Sequence, residues 1–157
     1  MEEHIKFIKE AIALAENNSK ANGGGPFGAV IVKDGKVVAS TSNSVTVDND
    51  PTAHAEVNAI RQACKHLGTF DLSGCVLYTS CEPCPMCLSA SYWARLDKIY
   101  YAASASDAAD AGFDDAFIYK ELALPIADRS VPMLRIAEKE GRVPFDNWIK
   151  NEIKVKY

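Results

Sequence analysis

The sequence predicts a layered α/β domain, and three observations carry that prediction. An apolar stripe of helical period, Ile5, Ile8, Ile12 and Ala15, opens the chain. Two strand-like runs then meet at Asp34-Gly35, and a strand, helix, strand pattern spans residues 75–103.

The first segment is a helix because Lys6, Lys9 and Glu10 fall off the apolar stripe, and it ends before Asn22-Gly23-Gly24-Gly25-Pro26. Residues 27–33 and 36–42 are β-rich, and the Asp-Gly pair between them is a two-residue hairpin signal, so these strands run antiparallel. Thr52, just after Pro51, is a plausible N-cap for a helix carrying Val57, Ile60, Cys64 and Leu67 at helical spacing up to Gly68. Residues 75–80 and 98–103 read as strands separated by a helix over 83–94, which makes a βαβ unit with a right-handed crossover. Short helices are expected over 107–112 and 114–122, with Pro125, Pro132 and Pro144 punctuating the remainder. Phe145, Trp148 and Ile149 suggest a last amphipathic turn or helix running toward Tyr157, with so few apolar residues that it needs another surface.

Composition bounds the function. A chain of 157 residues, 48% hydrophobic, is enough for one domain with a substantial core. There is no signal peptide and no apolar run long enough to span a bilayer, so the expected location is the cytoplasm. Five cysteines, an odd count, argue against a disulfide framework and for a reducing compartment. A net charge of −4 without a dense Lys/Arg block weakens a polynucleotide substrate and favours a small neutral one.

The chemistry is written in His54-Ala55-Glu56 and Pro83-Cys84-Pro85-Met86-Cys87. A lone His-x-Glu usually means nothing, and Pro-Cys-x-x-Cys alone is equally a redox pair or half of a zinc finger. In this order, about thirty positions apart, they match the signature of zinc deaminases. Three ligands, His54, Cys84 and Cys87, leave a fourth position open for water, as a hydrolytic site requires. Residues two apart on a helix point roughly 200° apart, so Glu56 reads as a base beside the metal rather than a ligand. Pro83 suits a first helical position, which places both sulfurs on one face at a helix N-terminus where thiolate is favoured. Cys64 and Cys75 read as structural, Cys81 as a residue shaping the loop, and His4 and His66 as ordinary surface or helix-end residues.

The signature, the βαβ unit and the run Asp50-Pro51-Thr52-Ala53-His54-Ala55-Glu56 resemble the cytidine deaminase-like superfamily. Within it, nearly the whole chain is similar to the bacterial guanine deaminase group. The segments that carry the likeness are Gly24-Gly25-Pro26-Phe27-Gly28-Ala29-Val30, Tyr78-Thr79-Ser80-Cys81-Glu82-Pro83-Cys84, Tyr92-Trp93-Ala94-Arg95 and Ala111-Gly112-Phe113-Asp114-Asp115, with Tyr157 at the end. Ser89 and Ser91 depart from the residues expected there, Gly and Ile.

The resemblance implies a three-layer α/β/α fold on a mixed five-stranded sheet of order 2-1-3-4-5. It implies a homodimer of single-domain subunits with exchanged C-terminal segments, and one Zn2+ per subunit. Matching positions imply Phe27 stacking on a purine, Asn43 and Asp115 hydrogen-bonding it, Trp93 lining the pocket and Tyr157 closing it. The implied reaction is hydrolysis of guanine to xanthine and ammonia by attack of a zinc-activated water at C2, with Glu56 carrying protons. Nucleic acid and membrane are not expected partners. Guanosine or another aminated purine or triazine, a tRNA adenosine and a non-catalytic zinc-binding role are the competing readings.

Overall fold

In a computed structural model, residues 2–157 are described, and they fall into two compact units that divide after Asp115. In the first unit, α1 (Glu2–Lys20) leads to a hairpin of β1 (Gly28–Lys33) and β2 (Lys36–Ser42). Asp34 and Gly35 both take positive φ, 50° and 73°, the conformation a two-residue turn of matching twist demands. A single turn, α2 (Val45–Asp48), precedes α3 (Ala55–Leu67). Then follow β3 (Cys75–Cys81), α4 (Pro85–Trp93), β4 (Lys98–Ala103) and α5 (Ala105–Asp110).

The sheet is mixed, in the order β2-β1-β3-β4, with β1 antiparallel to both neighbours and β3 parallel to β4. Alternation along β1 divides the core into layers. Ala29 and Ile31 pack with Leu77, Cys75 and the α3 alanines Ala55, Ala59 and Ala63 on one face. Val30 and Val32 pack with Tyr78 against Phe7 and Ala11 of α1 on the other. The three-layer α/β/α arrangement follows.

The five-stranded order 2-1-3-4-5 is corrected to four strands, 2-1-3-4. After Ala103 the chain turns at once into α5, because Ser104 and Asp107 form a reciprocal capping box that starts a helix. Among the described residues none after Ala103 enters a ladder.

Two boundaries shift. The helix after Pro51 starts at Ala55 with His54 rather than Thr52 as its N-cap, because Asp50 Oδ1 captures both the Thr52 backbone N–H (2.8 Å) and its hydroxyl (2.7 Å) in a turn. The helix expected from Pro83 begins at Pro85, with Cys84 as its N-cap. The buried stripe of α1 is Phe7, Ala11 and Ala15, while Ile5 and Ile12 stay exposed.

The second unit, Ala116–Tyr157, contains α6 (Ala116–Ala123), a 3-10 turn at Ile126–Asp128 and α7 (Glu138–Lys150), which runs through Pro144. Among its described residues none is buried, and Phe117, Leu134, Ile136, Phe145, Ile149 and Ile153 are exposed. Among the described residues, no helix is long and apolar enough to cross a membrane.

Candidate metal centre

Two helix N-termini meet at the end of the sheet. His54 is the N-cap of α3 and Cys84 the N-cap of α4, each in extended backbone conformation and neither using its side chain to cap the helix. Cys87 lies in the first turn of α4, fully buried. His54 Nδ1 lies 3.5 Å from the Sγ of Cys84 and 3.5 Å from the Sγ of Cys87, and the three donor atoms lie within 4.8 Å of one another.

These spacings fit zinc. With Zn–S near 2.3 Å and Zn–N near 2.1 Å, a tetrahedral site sets N and S about 3.6 Å apart. Two thiols and an imidazole are also the donor set zinc takes, and three protein ligands leave one position open. Nδ1 is the nitrogen turned to both sulfurs, so it is the His54 atom that could take a metal with them.

Protons in the metal-free cluster are unevenly held. Hydrogen bonding from Cys87, and then from His54, lowers the Cys84 thiol to about 4, while the Cys84 sulfur and burial push the Cys87 thiol strongly up. The same bond to Cys84 raises His54. To hold zinc, both sulfurs would have to be deprotonated and His54 neutral.

Glu56, 5% exposed, lies under the cluster. Its Oε2 accepts from Cys87 Sγ at 3.4 Å, and its Oε1 accepts from the Thr79 hydroxyl at 3.2 Å. Burial pushes its carboxyl up, which favours holding a proton. The carboxylate is thus beside the three candidate donors without being one of them.

The remaining sequence candidates have surroundings of their own. Asn43 is buried, its Oδ1 accepting from the backbone N–H groups of Gly25 (3.1 Å) and Val45 (3.2 Å). Asn58, four residues past His54, donates to Ser42 O and Ser44 Oγ, both at 3.0 Å, and so ties the Asn43 segment to α3. The half-buried Phe27 ring meets Phe113 edge-on with centroids 5.0 Å apart. Burial raises Asp115, and the negative Cys84 adds to the effect. Trp93 closes α4 six positions beyond Cys87 and is 70% exposed, and Tyr157, 73% exposed, belongs to the second unit.

Thr79, Asn58 and Asn18 were not legible as site residues. Thr79 reads as an ordinary β-branched strand residue, and Asn58 has only its helical spacing from His54 as a signal. Of the two departures, Ser89 is exposed, while Ser91 is buried and donates to Cys87 O at 2.8 Å. Cys81 lies outside the cluster, its Sγ 3.5 Å from Ser104 O, and burial pushes its thiol up to about 11. A cavity of about 520 Å3 opens elsewhere, between α1, β4 and α5, with Phe27 and Phe113 on its wall and none of the three ligands.

Residues 1–103 match the profile of the cytidine and deoxycytidylate deaminase zinc-binding region. The chain is 57% identical to guanine deaminase of Bacillus subtilis (strain 168) over 145 residues, 92% of this chain and 93% of that protein. The X-ray structure of guanine deaminase from Bacillus subtilis superposes with a TM-score of 0.95 at 55% identity, covering 98% of each chain. A tRNA-specific adenosine deaminase of Aquifex aeolicus (strain VF5) is 43% identical over 97 residues, 62% of this chain and 64% of that protein.

Proposed function

Because the chain belongs to the cytidine and deoxycytidylate deaminase zinc-binding family, we propose that it hydrolyses guanine to xanthine and ammonia. The buried Glu56 carboxyl beside His54, Cys84 and Cys87 is the observation that carries the reading. Identity to a guanine deaminase across 92% of the chain supports the substrate, whereas the tRNA deaminase match leaves more than a third of the chain without a counterpart.

His54 Nδ1 and the sulfurs of Cys84 and Cys87 would hold one zinc per subunit. Bound there, zinc supplies a Lewis acid that lowers the pKa of water from about 15.7 to about 7. Glu56 takes a proton from the attacking water and delivers it to N3 of the purine as oxygen adds to C2. From the tetrahedral carbon Glu56 then carries the hydroxyl proton to the amine, the C–N bond breaks, the carbonyl forms and ammonia leaves. Burial of Glu56, which raises its proton affinity, suits both halves of this relay.

Phe27 stacks on the base, Asn43 donates to it from Nδ2, and Asp115 takes a hydrogen bond from it and assists the amine's departure. Trp93 lines the pocket, and Tyr157 closes it. Exchange of the C-terminal segment between the single-domain subunits of a homodimer is supported by the exposed apolar side chains of Ala116–Tyr157. Five free cysteines fit a protein working in the cytoplasm, with neither nucleic acid nor membrane as a partner.

The test is to offer zinc-loaded protein guanine, guanosine, adenine and cytosine separately and follow ammonia. Release from guanine alone is expected, and release from guanosine but not guanine would overturn the substrate assignment.

A further inference from the structure

The two ends of the Asn43 side chain are not equivalent, and their orientation is set from a distance. Two backbone N–H groups, of Gly25 and Val45, converge on one side-chain atom, which must therefore be the oxygen. With both lone pairs of Oδ1 engaged, Nδ2 is the end left to meet a ligand. A ligand at that position has to present an acceptor.

The Gly25 N–H reaches Asn43 only because the 23–25 loop is folded over it, and Asn18 holds that fold. Asn18, near the C-terminal end of α1, uses one amide nitrogen for two bonds, to Gly25 O at 2.8 Å and to Asn43 O at 2.8 Å. It therefore cross-links the two backbone segments whose groups orient the Asn43 amide. The loop has little alternative packing. Gly24 sits at φ 141°, and a Cβ there would lie 2.4 Å from Asn43 O. A Cβ on Gly23 would lie 2.4 Å from Asn18 Oδ1. The backbone is thus closed around the Asn18 and Asn43 side chains from both sides.

We propose that Asn18 is a positioning residue for substrate, fixing the Asn43 amide with its donor end toward the base. The assignment rests on the reading that Asn43 meets the base. Asn18 touches neither the zinc ligands nor Glu56 in any described contact, so its effect belongs to binding rather than to proton transfer.

Asn18→Asp keeps the shape of the side chain, removes the donor and sets oxygen against two carbonyl oxygens. Asn18→Ala removes the donor alone. For guanine, KM is expected to rise about tenfold or more in Asn18→Asp and severalfold in Asn18→Ala. kcat should stay within about threefold, with bound zinc unchanged. Unchanged KM in both variants would overturn the assignment. So would a parallel loss of kcat and zinc in both, which would make Asn18 merely structural. Asn43→Ala separates the premise from the inference: a raised KM there with unchanged Asn18 variants removes Asn18 alone, whereas an unchanged KM in Asn43→Ala removes the reading of Asn43. Failure of the unaltered protein on guanine would instead strike the proposed function.

Discussion

His54 and Cys84 hold equivalent places in the fold: each is the last extended residue before a helix, and the Nδ1 of one lies 3.5 Å from the Sγ of the other. The coincidence has a mechanical consequence. N-cap residues are fixed by the helices that follow them, so these two candidate metal donors are placed by α3 and α4. The N-terminal dipoles of both helices favour the negative sulfurs.

Replacing one of these donors should therefore empty the site rather than loosen it. In Cys84→Ser, bound zinc measured on the purified protein is expected to fall to less than about a tenth of the unaltered level, with turnover lost in proportion. Full zinc occupancy with activity intact would remove Cys84 from the ligand set.

Thr79 offers a finer test, because its hydroxyl is the donor to the Glu56 oxygen that does not face Cys87. Thr79→Val keeps the shape and removes the bond, and kcat is expected to drop about tenfold with zinc retained. Thr79→Ser should keep most of the activity. Equal loss in both would mean that packing of the methyl group, not the hydrogen bond, matters.

The buried Glu56 carboxyl makes a prediction about metal-free protein. Its pKa in the fold is raised above 4.5, so between 4.5 and the raised value the native state binds more protons than the unfolded chain. Stability from this group is full below 4.5 and is lost as pH rises through the folded value. Metal-free Glu56→Gln should therefore be the more stable protein at neutral pH, with the difference shrinking as pH falls to 4.5. Denaturant melts at several pH values check this, and a constant difference across the range would contradict it.

On the other face of the sheet, His4 Nδ1 pairs with the Tyr78 hydroxyl at 2.7 Å and Nε2 with the Tyr100 hydroxyl at 3.3 Å. The His4 ring also stacks on Tyr100 with centroids 4.4 Å apart. His4→Ala is expected to cost about 1–3 kcal/mol of stability, by denaturant titration, while leaving kcat unchanged. No loss of stability would show these bonds to be of no net worth.

His4 illustrates what a sequence withholds. Read along the chain it is a surface residue at a helix start, since its partners lie 74 and 96 positions away. The elements set by local chemistry were legible: the hairpin at Asp34-Gly35 and the strand at Lys98–Ala103 announce themselves within a few residues, and the cluster of His54, Cys84 and Cys87 through two short motifs about thirty positions apart. Features decided by competition between neighbours were displaced. Asp50 draws Thr52 into a turn and delays α3, and in α1 Phe7 and Ala11 lie buried beside the expected Ala15 while Ile5 and Ile12 stay exposed. The fifth strand came from likeness to other chains and is absent from the described ladders, because the capping box at Ser104 sends the chain into a helix. Asn18 and Thr79 carried no signal at all, because a single asparagine in a helix or threonine in a strand is ordinary until its partner is known.

The most direct measurement is made on Glu56→Gln, with zinc content and ammonia release from guanine followed on the same preparation. Glutamine keeps the size of the side chain and cannot relay a proton. The expected result is zinc bound at the unaltered level with turnover reduced by about 10^2 to 10^4-fold. Zinc fully bound and turnover within about tenfold of normal would contradict the assignment of Glu56 as the proton carrier.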